Sequence, residues 1–210
     1  MKFTKLKNGG IYKLLELPLI YDTVETMLGA QAVNKRFVDE YVQPPQRARV
    51  LDIGCGSARI IDHLPVDVDY YGFDINPRNI AAAKKNYAGR GKFFCSKVTT
   101  DMDLALAGKY DLVLATHVLH HLRDNEVKEL FSIAYSYLGS GKSLVTIDPV
   151  LVPNQPFIAR LLIGLDRGKY VRTPECYKDL VSPDFSSVET CVVSDMFRYP
   201  YNHHIIRVKK

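Results

Sequence analysis

The chain has 210 residues, 47% of them hydrophobic and 24% charged, and a net charge of +5. That is enough for one domain with a full core, and the composition is ordinary for a soluble globular protein, which excludes disordered and fibrous classes. The basic residues are spread along the chain, not gathered into the dense stripe that a nucleic-acid groove requires. No run approaches the roughly 20 apolar residues of a membrane span.

Residues 1–45 read as an N-terminal helical cap, with helices near 14–28 and 32–42 ended by Pro44-Pro45. The apolar run from Leu14 to Ile20 is broken by Glu16 and Pro18 and lacks the small-residue cleavage site of a signal peptide. The four cysteines (Cys55, Cys95, Cys176, Cys191) form no C-x-x-C pair, so neither zinc nor a redox motif is expected. Cys55 and Cys95 fall in or beside predicted buried strands, where a free thiol acts as a small hydrophobe. A reducing, cytoplasmic setting is therefore expected.

A regular alternation then begins. Val50–Ile53 is predicted as the first strand, Ala58–Leu64 as a short helix and Tyr70–Phe73 as the second strand. Asn76-Pro77 fits a helix cap with proline at the first helical position, opening a helix to about Tyr87. Lys92–Cys95 is the third strand. Tyr110–Ala115 is the fourth, where Leu112, Val113 and Leu114 give the continuous apolar run of a strand buried on both faces. Asn125–Tyr137 is a helix and Ser143–Ile147 the fifth strand. Beyond Val150 come a loop, an apolar helix with Phe157, Ile158, Leu161, Leu162 and Leu165 at helical spacing, and a short helix opened by Thr173-Pro174. Val188–Val193 and His204–Val208 are strands whose connection is too short for a crossover helix, so they should pair antiparallel at the sheet edge. The expected architecture is a single domain of α/β class. It is a Rossmann-like, doubly wound, seven-stranded and mostly parallel sheet with an antiparallel C-terminal hairpin and helices on both faces. Residues 46–150 form its cofactor-binding core, and 151–210 its substrate-side helices and hairpin.

The chemistry gathers at two strand tips. Arg49-Val-Leu-Asp-Ile-Gly-Cys-Gly-Ser57 enters a glycine turn, and Tyr70-Tyr-Gly-Phe-Asp74 ends in a carboxylate. In a βαβ unit these tips lie side by side, where glycines admit a ligand to the backbone and an aspartate accepts bonds from ribose hydroxyls. A dinucleotide site wants a third small residue, but Arg59 stands there. Asp52, two residues before the first glycine, suits a cationic group such as the α-ammonium of S-adenosylmethionine and would repel a pyrophosphate. A nicotinamide oxidoreductase is therefore a lesser alternative, as is a non-catalytic module that keeps the pocket.

These residues resemble the class I S-adenosylmethionine-dependent methyltransferases. The acid-x-G-x-G motif is matched by Asp52, Gly54 and Gly56, the acid after strand two by Asp74, and the strand-four motif by Tyr110-Asp-Leu-Val-Leu-Ala-Thr-His-Val-Leu-His-His-Leu122. The turn before strand five is matched by Leu138-Gly-Ser-Gly141. The resemblance implies that Gly54, Cys55 and Gly56 lie against the methionine portion and that Asp52 binds the ammonium, directly or through water. It also implies that Asp74 takes the ribose and that Ile75 packs on the adenine. Lys97 and Val98 follow strand three, where many members carry an acid near the adenine; Lys97 cannot accept that bond. Thr116 and His117 should face the cofactor, and Tyr21 of the N-terminal cap should help to cover it.

Methyl transfer to a hydroxyl is an in-line displacement helped by a general base. His120, His121 and Asp148 are the candidates at the ends of strands four and five. Asp166, Arg167, Tyr170 and Arg172 suit an anionic or hydroxyl-rich small molecule, joined by Tyr201 and His203. Oxygen is favoured over nitrogen as acceptor because no Asn-Pro-Pro-Tyr or Asp-Pro-Pro-Tyr follows strand four; Ala115-Thr-His-Val stands there. No carboxylate trio suggests a metal, and oligomeric state is not legible.

Overall fold

The computed structural model describes residues 29–100, 102, 109–165, 168–197 and 199–210. The helix expected near 14–28, with Tyr21, lies outside them, as do Asp166, Arg167 and Arg198. The described chain begins with α1 (Ala30–Phe37), which continues into a π-helical turn, Val38–Val42. Five parallel strands follow: β1 (Arg49–Ile53), β2 (Asp69–Phe73), β3 (Gly91–Phe94), β4 (Tyr110–Thr116) and β5 (Leu138–Pro149). Between them stand a 3₁₀ turn at Arg59–His63, where a fuller helix was expected, α2 (Pro77–Asn86), a second 3₁₀ turn at Leu119–His121, and α3 (Asp124–Tyr137). The C-terminal part adds α4 (Phe157–Leu165), α5 (Pro174–Lys178), β6 (Ser187–Val193) and β7 (His203–Lys209).

The seven strands run β3-β2-β1-β4-β5-β7-β6. β7 is antiparallel to both β5 and β6, which makes the expected hairpin with β6 outermost. Side-chain alternation divides the core between the two faces. Val50, Tyr70, Leu112, Leu114 and Ile205 meet α1 and α2 on one side; Leu51, Tyr71, Val113 and Ile206 meet α3 and α5 on the other. Asn76 caps α2 by accepting from the Arg78 amide at 3.0 Å, with Pro77 at the first helical position. β5 is longer than the predicted Ser143–Ile147, because the Leu138–Gly141 turn is retained as an irregularity of its pairing with β4.

The two ends of the parallel sheet differ in function. At the C-terminal ends of β1, β2, β4 and β5 the chain turns through glycines and polar residues, and this edge carries the site.

Candidate active site

The glycine turn after β1 is held from below. The amides of Gly54 and Cys55 both donate to the Phe73 carbonyl, at 2.8 and 2.9 Å. Gly54, Gly56 and Ala58 have φ of +76°, +55° and +61°. A Cβ on Gly54 would stand 2.6 Å from Val118 Cγ2, so the turn approaches the β4 loop as closely as a glycine permits. A Cβ on Gly56 would meet nothing within 4 Å among the described residues, so that side of the turn is open to them.

Asp74 joins the two strand tips. Its Oδ2 accepts from the Gly56 amide at 3.0 Å and its Oδ1 from the Asn76 amide at 2.6 Å. The carboxylate therefore sets the shape of the turn and still has lone pairs for a diol. Ile75 beside it is 76% exposed, an apolar surface left bare at a polar edge.

Asp52 lies deeper than its motif suggests. It is fully buried, and Tyr70 donates its hydroxyl to Oδ2 at 2.5 Å. Gly72 makes room for this contact, since a Cβ there would stand 2.9 Å from the Tyr70 ring and 2.8 Å from Cys55 Sγ. Asp52 Oδ1 is buried with no hydrogen-bond partner among the described residues. Burial pushes the Asp52 carboxyl up to about 7; the Tyr70 hydrogen bond opposes this and the charge of Asp74 adds to it. A buried carboxylate oxygen without a donor costs on the order of 1–3 kcal/mol, which a cationic ligand group above the turn would relieve. Cys55 is buried as expected and its thiol is pushed up by burial, so it acts as a packing group. Cys95 departs from expectation: β3 ends at Phe94, and the thiol beyond it is exposed.

After β3, Lys97 turns away from this edge and pairs with both Glu129 oxygens on α3, at 3.1 and 3.0 Å. Val98 is buried in the core. Thr116 ends β4. His117 has φ +56°, an uncommon conformation for a non-glycine residue, and its amide donates to the Ile147 carbonyl at 2.8 Å.

Two expected base candidates form one unit. Asp148 Oδ1 accepts from the His120 backbone amide at 3.1 Å and sits 2.7 Å from His120 Nδ1. Both are buried, at 2% and 1% exposure, and a Cβ on Gly168 would stand 2.0 Å from the His120 ring. The pair ties the turn after β4 to the end of β5. His121 is exposed and its ring lies against that of His120, with centroids 4.1 Å apart. His117 is 6.3 Å from His120 and 5.7 Å from His203, so four imidazoles form a row along this edge.

The expected substrate cluster divides. Arg172 is not a ligand-facing cation. Its guanidinium donates to the carbonyls of Leu119, Tyr170 and Leu122 at 3.0, 2.9 and 2.7 Å, and twice to Asp124 Oδ1. A fork with five donors suits this crossing of several carbonyls. Tyr170 remains partly exposed, with its hydroxyl 3.3 Å from Arg123 Nε. Tyr201 and His203 are buried in an aromatic group with Phe197, with centroids 5.1–5.7 Å apart. His203 and His204 do face opposite sides: His204 stacks at 5.6 Å on Tyr177 of α5. Sequence reasoning missed Tyr70 and Val118. The strand period of two, which puts Asp52 on the core side with Val50, was the available signal for Tyr70.

The deciding observation is a match over residues 29–163 to a family model described as a methyltransferase domain. The chain belongs to that methyltransferase family. The chain is similar to the ubiquinone biosynthesis O-methyltransferase of Cereibacter sphaeroides, 37% identical over 83 residues. The match covers 39% of this chain and 34% of that protein, so the chain spans about a third of the length of the curated relatives it matches. Two solved structures share its fold. One is an S-adenosylmethionine-dependent methyltransferase from Archaeoglobus fulgidus: TM-score 0.68, 19% identity, covering 90% of this chain and 99% of that one. The other is human N-acetylserotonin methyltransferase in complex with S-adenosylmethionine: TM-score 0.65, 19% identity, covering 91% and 54%. These likenesses make the sheet a class I methyltransferase fold and disfavour the nicotinamide alternative. Among the described residues no His, Cys, Asp and Glu group is arranged to hold a metal, and no helix is long and apolar enough to cross a membrane.

Proposed function

We propose that the chain transfers a methyl group from S-adenosylmethionine to a hydroxyl of a small-molecule acceptor. The observation that carries this reading is the combination at the glycine turn: an open Gly56, a ribose-height carboxylate at Asp74 and an unpartnered buried oxygen on Asp52. The residues fit the cofactor. Asp52 supports its ammonium from beneath, Asp74 its ribose, and exposed Ile75 gives the adenine an apolar surface. Cys55 lines the turn as a packing group. Bound there, the cofactor supplies an electrophilic methyl group on a sulfonium.

The chain's own part is positioning and proton removal. Asp148 holds His120, and His120 supports the ring of His121 at the mouth. His121 takes the hydroxyl proton, a role suited to an imidazole near neutral pH. His120 and Asp148 act through it as positioning residues. Thr116 and His117 border the cofactor, and Tyr170 borders the acceptor. The O-methyltransferase names of the relatives support oxygen as the acceptor atom. A cytoplasmic setting belongs to the same reading.

Calorimetric titration with S-adenosylmethionine and S-adenosylhomocysteine, with NADH as control, tests the first half. Binding of the first two alone is expected, and binding of NADH alone would overturn it. His121→Ala should cut turnover about 10²–10⁴-fold and leave cofactor affinity in place. A variant with unchanged turnover removes His121 from the chemistry.

A further inference from the structure

The outermost strand of the sheet is bare. β6 pairs with β7 over seven consecutive residues without a break in register, from Ser187 opposite Lys209 to Val193 opposite His203. Among the described residues no strand pairs with its other side. Every residue of β6 except Val193 is exposed, Val188 and Val192 to 37% and 39%. An edge strand offers alternate N–H and C=O groups to any second strand, and native proteins block such edges with lysine, proline, a bulge or a covering element. The sequence Ser187-Val-Glu-Thr-Cys-Val-Val193 has no lysine, no proline and no bulge in its pairing with β7, and Glu189 is its one charge. β3, at the opposite edge, is four residues long.

We infer that β6 is the interface through which two copies of this chain join into one continuous sheet. The strand is complementary to itself. In an antiparallel two-fold pair, full overlap of residues 187–193 is reached only with Thr190 opposite its own copy. That register sets Val188 against the partner's Val192, so the exposed valines on each strand cover one another. Cross-strand β-branched pairs are among those that stabilise antiparallel sheets. The same register sets Glu189 against the partner's Cys191. The single carboxylate of the strand therefore never faces its copy, and within its own chain it lies opposite Arg207 on β7. A two-fold contact of this kind closes on itself and stops at a dimer.

Light scattering on the chromatographed chain at micromolar concentration should give twice the chain mass. In a background with Cys95, Cys176 and Cys191 changed to serine, Thr190→Cys should cross-link to a covalent dimer under mild oxidation, because directly opposed Cβ atoms lie about 4.5–5.5 Å apart. Val188→Lys with Val192→Lys should give a monomer whose circular dichroism matches the parent and whose melting temperature no longer rises with protein concentration. A monomeric parent overturns the inference. So does a dimer that survives the lysine pair and fails to cross-link through position 190, since it would then use another surface.

Discussion

On the proposed reading, Asp52 makes stability and cofactor binding pull in opposite directions. Its carboxyl rises from an ordinary 3.8 to about 7 in the folded chain, chiefly because no water reaches it. Between these values the folded protein holds a proton that the unfolded chain has released. The unfolded state then binds fewer protons, so stability falls as pH rises through this window. At about 1.36 kcal/mol for each pH unit, the ionised form costs on the order of 4 kcal/mol above pH 7. Asp52→Asn keeps the shape, stays neutral, and can still accept from Tyr70. Its amide N–H groups remain unpaired, at about 1–3 kcal/mol. The variant should therefore be more stable than the parent by about 1–3 kcal/mol near pH 8, with the gap closing or reversing near pH 5. Urea unfolding of both proteins at the two pH values, compared at constant slope, isolates the term. S-adenosylmethionine should bind the variant more weakly at pH 8. If parent and variant lose stability in parallel between pH 5 and 8, Asp52 is not the buried acid described here.

Other substitutions probe the frame of the site. Arg172→Met removes one donor from each of the carbonyls of Leu119, Leu122 and Tyr170 and should cost about 2–4 kcal/mol in denaturant unfolding, with Arg172→Lys restoring only part. Gly54→Ala forces a side chain into φ +76° and against Val118, at about 2–4 kcal/mol. Adding Val118→Ala should return the steric share and leave the dihedral share, as a double-mutant cycle would show. Burial lowers the pKa of His204 below its ordinary 6.5, against the pull of Asp148 and Glu175. The unfolded chain therefore binds the proton more readily, and the stability present above pH 6.5 is lost as pH falls. His204→Phe should flatten that acid limb in melting curves, and an unchanged limb would assign it to another group.

The fold was legible because its signals are local and repeated. Strand β4 declared itself through Leu112, Val113 and Leu114, and α2 through the Asn76-Pro77 cap. The glycine turn and the strand-tip acid that joins it were legible for the same reason, since they lie close in sequence. What escaped were pairings across the sheet. Arg172 reads as a free cation until Leu119, Leu122 and Asp124 arrive from some 50 residues away. His120 and Asp148 read as rivals, yet the parallel pairing of β4 with β5 makes them partners. Burial was the other blind spot: Cys95 looks like a core residue in sequence and stands exposed.

The strap after β5 leaves and rejoins the sheet at one point. Val150 bridges Arg172, and the Leu151 amide donates to the Arg172 carbonyl at 3.0 Å. Everything between is an excursion whose two ends are pinned together by the arginine's own hydrogen bonds. Such an excursion can change length at little entropic expense, because closure entropy grows only logarithmically with length. Insertions at the exposed Pro153-Asn154 turn are thus expected to leave β5 and the turn after β4 unaltered, whereas Gly168 and Tyr170, packed against His120, fix the far end of the segment.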